Sequence, residues 1–400
     1  MMSKTEIEVR DVSFTQQDLY FMQRALALAR QGIALTSPNP CVGAVIVSSA
    51  GDVVGRGSHT YDGTKHAEVL AIEQAGAQAR GASLYVNFEP CSHVGRTRPC
   101  VEAIIHAGII RVVAAMQDPN PEVSGRGFEG LRAAGIAVEV GLCETEARAL
   151  NEWFAKYIRT GTPLVTLKAG MTLDGKIAPP PGESGVVSAL GAAGAASGWI
   201  TSEEARAHVQ ELRHASDAIL SGVGTVVADD PLLTDRTGRP RRRPLLRIVL
   251  DSRLRLPVES RIVKTAAEGR DVLVFCSFVD EKRREELLAR GVRVEQTPLG
   301  IRDGRPDLRV ILKRLGEMEI TSLLVEGGSL VNWSALESGI VDKVFLYYAP
   351  KILGGMGALP FASSSGFRRV SEAATIRHIQ LHRFGEDFAV EGYLKDPYRE

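Results

Sequence analysis

His66-Ala-Glu68, followed by Pro90-Cys91 and then Cys100, is the part of this sequence best suited to chemistry. One imidazole and two thiolates are good zinc ligands. Three protein ligands leave a fourth position for water, which marks a catalytic rather than a structural site. Two thiolates balance the charge of the ion, and water bound at such a site loses a proton at about pH 7. Glu68 is then free to take that proton and hand it to a leaving amine. His66 and Glu68 are two residues apart, about 200° around a helix. They can serve one site only if it lies over the helix start, and the turn-like Asp62-Gly63-Thr64 just before His66 fits that. Cys100 follows Pro99 at a second predicted helix start, where the positive end of the helix favours thiolate.

The order H-x-E, then P-C, then a further Cys follows the zinc-deaminase pattern. The usual second half is P-C-x-x-C, but Val94 stands where that second Cys would be. The third ligand is therefore either Cys100, across a longer loop, or His93 within it. Alone, His66-Ala-Glu68 reads as an ordinary helix start, and two cysteines read as buried thiols. Together and in this order they read as a metal site.

The elements that must hold these residues alternate. Phe14 to Gln31 has apolar residues at helical spacing. Cys41 to Val47 and Val53 to Gly57 read as a hairpin around Gly51-Asp52. A helix from His66, a strand over 82–88, a helix from Pro99, a strand over 111–116 and a further helix and strand up to Val140 come next. Glu144 to Arg159 reads as a long closing helix. Thr160-Gly-Thr-Pro163 is a breaker cluster, so two domains are expected, 1–160 and 161–400. The second has strands over 164–169, 218–221, 245–250, 272–276, 292–295 and 322–325, which imply a mainly parallel sheet covered on both faces. The Gly-, Ala-, Ser- and Pro-rich stretch 179–198 reads as a mobile loop. Pro240-Arg-Arg-Arg-Pro244 reads as a solvated surface turn rather than a nucleic-acid patch. Gly327-Gly328 precedes a predicted helix whose backbone N–H groups can cradle a phosphate.

At this point the sequence resembles the bifunctional riboflavin-biosynthesis deaminase/reductase family. The matching strings are Thr36-Ser-Pro-Asn-Pro-Cys-Val-Gly43, His66-Ala-Glu68, Glu89-Pro-Cys-Ser-His93 with Gly95 and Thr97-Arg-Pro-Cys100, and Asp118-Pro-Asn-Pro121. In the second half they are Lys168-Ala-Gly-Met-Thr-Leu-Asp-Gly-Lys176, Trp199-Ile-Thr201, Gly224-Thr225 with Asp229-Asp-Pro231, and Val325-Glu-Gly-Gly328. The resemblance implies an α/β chain with an N-terminal cytidine-deaminase-like domain and a C-terminal dihydrofolate-reductase-like domain. It implies one Zn²⁺ per chain and NADPH as cofactors. The first half would hydrolyse the 2-amino group of a diaminopyrimidinone ribosylamine phosphate, and the second would reduce its ribosyl group to ribityl at C1′.

Carried over residue by residue, the resemblance makes His66, Cys91 and Cys100 the metal ligands and Glu68 the proton shuttle. Asn39 and His59 would hold the pyrimidine, and Arg96 and Asn120 the rest of that substrate. Lys168 and Asp229 would bracket substrate and nicotinamide. Gly170, Trp199, Thr225, Ser252, Gly327 and Gly328 would contact the cofactor. Ser197, Arg213, Leu233, Arg236 and Glu326 would contact the second substrate. The loop over 179–198 is longer than the family pattern, and it is expected to fold over or near the nicotinamide pocket.

Composition fits these expectations. Lys plus Arg and Asp plus Glu are 48 each in 400 residues, so no global field attracts nucleic acid or an acidic membrane. Five cysteines, odd and sparse, do not make a disulfide framework. With a polar N-terminus and no run of 18 apolar residues, they point to the cytoplasm. Small-molecule pyrimidine ribosyl phosphates are the expected partners, with no nucleic acid and no membrane. The sequence leaves a homo-oligomer open. The rival reading is a nucleoside or nucleic-acid cytidine-type deaminase with an accessory nucleotide-binding domain. A chain that binds zinc or nucleotide without catalysis is less supported, because Glu68, Lys168 and Asp229 are all present.

Overall fold

Thr15 starts the first helix, α1 (Gln16–Arg30), with a capping box: its Oγ1 accepts from the Asp18 N–H and its own N–H donates to Asp18 Oδ2. The structure is a computed structural model, and it describes residues 14–63, 65–93, 98–180, 198–266, 270–300 and 304–399. The described chain forms two compact units, one up to Asn151 and one from Glu152.

In the first unit, β1 (Gly43–Val47), β2 (Val53–Ser58), β3 (Ser83–Val86), β4 (Arg111–Ala114) and β5 (Ala137–Val140) form a sheet in the order β2-β1-β3-β4-β5. The β1 pairings are antiparallel, and β3-β4-β5 are parallel. The helices α2 (Ala67–Ala75), α3 (Cys100–Ala107) and α4 (Arg126–Ala133) connect them. Every β1 residue is buried, as its β-branched, two-faced apolar run requires. Asp18 joins α1 to the sheet: its Oδ1 accepts from Tyr85 Oη and Arg111 Nη1, both at 2.7 Å. Arg111 in turn grips Glu139 with a fork of 3.1 and 2.7 Å.

Gly57 decides where α2 lies. A Cβ there would stand 1.9 Å from the Ala67 carbonyl oxygen, and one at Gly55 would stand 2.1 Å from that of Ala71. No larger residue lets the helix approach β2 so closely. Its first turn, which carries His66 and Glu68, is set by that approach.

The closing helix, α5 (Glu144–Thr160), bends at Asn151, whose backbone leaves helical geometry. The Asn151 side chain bonds the backbone of Cys41 instead, accepting from its N–H at 2.8 Å and donating to its carbonyl at 3.1 Å.

The second unit contains β6 (Leu164–Thr172), β7 (Lys176–Ala178), α6 (Glu203–Ala215), β8 (Ala218–Gly222), α7 (Val223–Asp229), β9 (Leu246–Leu250), α8 (Arg261–Lys264), β10 (Val272–Cys276), α9 (Glu281–Leu288), β11 (Arg293–Gln296), α10 (Leu308–Glu317), β12 (Ser322–Val325), α11 (Ser329–Glu337), β13 (Lys343–Ala349), β14 (Leu359–Pro360), β15 (Arg377–Phe384) and β16 (Asp387–Tyr393). Among the described residues its main sheet has nine strands in the order β11-β10-β9-β8-β12-β6-β13-β16-β15. The pairings are parallel from β11 to β13, and the β15-β16 hairpin closes the edge antiparallel. The expected parallel sheet is present with an addition, because no strand was expected after residue 325. β15 is mostly exposed, so its apolar pattern is weak.

Pro240-Arg-Arg-Arg-Pro244 is not a freely solvated turn. Arg241 donates to the carbonyls of Arg213, His214 and Ser216 at 3.2, 2.7 and 2.6 Å. It thereby caps the α6 C-terminus, whose orphan carbonyls favour a cation. Arg243 donates to Asp217 Oδ2 at 3.0 Å. Among the described residues no helix is long and apolar enough to cross a membrane.

Candidate functional site

The first site lies over two helix starts. His66 is the N-cap of α2, and Pro99 is the N-cap of α3, which begins at Cys100. His66 Nδ1 is 3.2 Å from Cys100 Sγ and 3.4 Å from Cys91 Sγ, and the Cys100 N–H donates to Cys91 Sγ at 3.3 Å. The three ligand atoms all fall within 4.8 Å of one another. Zinc bonds of about 2.1 Å to nitrogen and 2.3 Å to sulfur place tetrahedral ligands roughly 3.5–3.8 Å apart; the donors fit that ion in kind, and the 3.2 and 3.4 Å separations from His66 are a few tenths of an ångström tighter. The geometry brings Cys100 to the site, whereas His93 is exposed.

These groups perturb one another. The Cys100 hydrogen bond, opposed by burial and helped by His66, pulls the Cys91 thiol down to about 4. The same bond and burial push Cys100 far above the usual thiol range. Two crowded sulfurs hold a proton between them unless a cation takes its place. Glu68 is buried beside them. Burial, and then the charge of Cys91, push its carboxyl up to about 7, a value suited to moving protons near neutrality.

Next to this cluster the edge of the His59 ring meets the His66 ring, with centroids 5.3 Å apart. His59 Nδ1 lies 3.1 Å from the Lys65 carbonyl, which can only accept, so Nδ1 carries the proton. His59 Nε2 then accepts from Asn39 Nδ2 at 3.2 Å. Asn120 sits on a loop ordered by Asp118, whose Oδ1 accepts from the Asn120 N–H at 2.8 Å. Burial pushes the Asp118 carboxyl up to about 6. Glu89, missed by sequence reasoning, ties that loop to the Cys91 segment. Its carboxylate accepts from the N–H groups of Asp118, Gly125 and Gly127 at 2.9, 3.0 and 2.8 Å.

The second site is a cavity of about 720 Å³ along the C-terminal ends of β6, β12, β8 and β9. Ligands in open parallel sheets bind at this edge, where the strand order reverses. Lys168, Gly170, Thr225, Asp229, Ser252, Glu326, Gly327 and Gly328 all line it. Glu326 is its anchor: Arg213 donates to both its oxygens at 2.8 and 3.0 Å, and Lys168 Nζ lies 3.5 Å away. Against the opposing effect of burial, those two cations hold the Glu326 carboxyl down to about 2. Burial alone raises Asp229. A Cβ on Gly328 would project toward Thr225 Oγ1 at 3.5 Å, inside this cavity. The bare backbone at the α11 start is thus open to a phosphate, and the cavity volume suits a dinucleotide.

A model of the cytidine and deoxycytidylate deaminase zinc-binding region matches residues 15–116, and a RibD C-terminal domain model matches residues 163–390. The chain is 43% identical over 383 residues to riboflavin biosynthesis protein RibD of Actinobacillus pleuropneumoniae, covering 96% of this chain and 97% of that one. It is 41% identical over 386 residues to the RibD of Escherichia coli, covering 93% and 98%. The Acinetobacter baumannii RibD structure superposes with a TM-score of 0.78 at 36% identity, covering 94% of this chain and 98% of that one. The chain belongs to the RibD family. Its fold class is therefore an α/β cytidine-deaminase-like domain followed by the RibD reductase domain. Like other RibD enzymes it joins a zinc-dependent deaminase to an NADPH-dependent reductase in riboflavin biosynthesis.

Some expected RibD positions lie apart from these two sites. Trp199 does not line the cavity; it is 45% exposed with Arg206 Cζ 5.0 Å over its ring. Leu233 is buried with φ +53°, and Arg236 is exposed, its N–H donating to Gln210 Oε1 at 3.0 Å. Arg213 reaches the cavity through Glu326. Thr64, Arg96, Ser197 and most of the 179–198 loop lie outside the described residues. Arg255 and Arg305 also line the cavity, and neither was singled out from the sequence. No short motif marks an arginine that reaches a cavity from a turn.

Proposed function

We propose that the His66–Glu68–Cys91–Cys100 cluster hydrolyses the 2-amino group of 2,5-diamino-6-(5-phosphoribosylamino)pyrimidin-4-one. The crevice around Lys168, Asp229 and Glu326 then reduces the ribosyl side chain to ribityl. Residues 1–160 supply the first step and 161–400 the second. A Thermotoga maritima diaminohydroxyphosphoribosylaminopyrimidine deaminase/5-amino-6-(5-phosphoribosylamino)uracil reductase has a TM-score of 0.75 at 35% identity, covering 94% of this chain and 98% of that one. The observation that carries the deaminase reading is one nitrogen and two sulfurs within 4.8 Å beside a buried carboxyl raised to about 7.

His66, Cys91 and Cys100 hold the zinc, which when bound supplies a Lewis acid that makes water acidic near neutral pH. Asn39 and His59 receive the pyrimidine, and the His59–Lys65 bond keeps the imidazole in one tautomer. Glu68 takes a proton from the attacking water and delivers it to the departing nitrogen. Water and the C–NH₂ group become a carbonyl and ammonia. In the second half, NADPH when bound supplies the hydride to C1′. Lys168, tethered to Glu326, holds the proton that the ribose ring oxygen needs as the ring opens. Gly327 and Gly328 offer backbone donors to the cofactor phosphates, and Asp229 lines the same cavity.

The neutral charge balance favours small ribosyl phosphates over nucleic acid, and the reducing pattern of free cysteines favours the cytoplasm. The test is a two-step assay with metal analysis. The diaminopyrimidine phosphate should release ammonia without NADPH and consume NADPH only afterwards, while cytidine releases none. E68Q should lower ammonia release by about 10³-fold or more and keep one zinc per chain. Native ammonia release by E68Q removes Glu68 from the proton path; release from cytidine alone favours the nucleoside-deaminase alternative.

A further inference from the structure

The cavity of the second unit is chemically different at its two ends. The sheet order β9-β8-β12-β6 fixes the sequence of groups along it. Lys168 and Gly170 stand at the β6 end, Glu326 to Gly328 come next at β12, then Gly222 to Thr225 at β8, and Ser252 and Arg255 stand on the turn after β9. Three inter-strand spacings separate the ends, about 14 Å. On the reading that this crevice binds a dinucleotide with its nicotinamide at Lys168, on which the present inference rests, the adenosine lies toward β9.

The charges on that turn are sorted. Asp251, directly after β9, is fully buried and turned inward, where its Oδ2 accepts from the Leu256 N–H at 2.7 Å. It does not line the cavity. An acidic side chain at a ribose favours a free 2′-hydroxyl, whereas an arginine accommodates a 2′-phosphate. Here the acid is withdrawn and the arginine is presented. The Arg255 side chain is 69% exposed, and its ion pair with Asp251 is long, 3.8 Å. Arg305 also lines the cavity, but it is bound to α11 through the Leu330 carbonyl at 3.3 Å and Ser334 Oγ at 2.8 Å. Arg253, on the same turn as Arg255, points elsewhere, with its Cζ 5.7 Å over the Phe278 ring.

We infer that Arg255, which lines the same end of the cavity as Ser252, reads the adenosine 2′-phosphate and so selects NADPH over NADH. A guanidinium fork suits a phosphate better than an ammonium does, so R255K should retain only part of the preference.

Calorimetric titration of the full chain with NADPH, NADH, 2′,5′-ADP and 5′-AMP tests this without turnover. The native protein should bind NADPH tighter than NADH, and 2′,5′-ADP tighter than 5′-AMP. R255Q should weaken NADPH and 2′,5′-ADP by about 10- to 100-fold and leave NADH and 5′-AMP within about twofold. R253Q removes the same charge from the same turn and should leave all four within about twofold. Unchanged NADPH:NADH discrimination in R255Q, or an equal loss in R253Q, overturns the assignment of Arg255 and leaves the reductase reading standing. A native protein that binds neither dinucleotide overturns both.

Discussion

Glu326 is largely buried between two cations, and its environment decides both its charge and its use. Arg213 holds it as a fork and Lys168 approaches from the strand beside it. Its carboxyl is held at about 2 in the folded protein, against about 4.3 in an unfolded chain. A depressed carboxyl contributes stability that is complete above the unfolded value and fades as pH falls through the folded one. R213M should cost about 3 kcal/mol at pH 7, because it strips a partner from a buried charge. The gap between native protein and R213M should then narrow as pH falls from about 4.5 toward 2. Urea midpoints at pH 7, 4.5 and 3 measure it, and a gap that ignores pH would show that Glu326 is not the group responsible. The identity of each partner was readable in the sequence; their meeting was not, since Arg213 and Glu326 are 113 residues apart.

At the scale of elements, the first site depends on how tightly α2 lies on β2. The hairpin and the helix were legible from alternation and helical spacing, and His66 stands at the helix start as its preceding turn required. The glycines that admit the helix carry no signal of their own in one sequence. G57A places a methyl group 1.9 Å from the Ala67 carbonyl, so the helix start must move. The variant should lose about 2 kcal/mol and surrender zinc to a chelator about tenfold faster than the native protein. Thermal unfolding and a chelator-competition time course read the two effects. Native zinc retention in a destabilised G57A would mean that the ligands adjust independently of the helix.

At the scale of the whole chain, the breaker cluster at 160–163 and the packing of α5 point to different cuts. Glu152 accepts from Lys343 Nζ at 2.7 Å and from Tyr393 Oη at 2.5 Å, and Lys156 Nζ lies 3.1 Å from the buried Asp342. The last turns of that helix therefore pack with the second unit. A fragment of residues 152–400 should be more stable than one of 161–400 by about 3 kcal/mol, because the shorter one strips Lys156 from the buried Asp342 and leaves Lys343 with Glu391 but without Glu152. Urea denaturation of the two fragments decides it, and equal midpoints would show that these pairs contribute nothing net.

The sequence by itself determined the donors available for a cation, the carboxyl beside them, the two α/β series and the family likeness. All of these rest on residue type and short spacing. Tertiary structure decided that Cys100 and not His93 meets His66, that Glu326 is clamped by Arg213, that Arg241 caps a helix, and that a late hairpin closes the sheet. Those outcomes join positions tens to hundreds of residues apart. They depend on burial and on the order of strands, which no local pattern encodes.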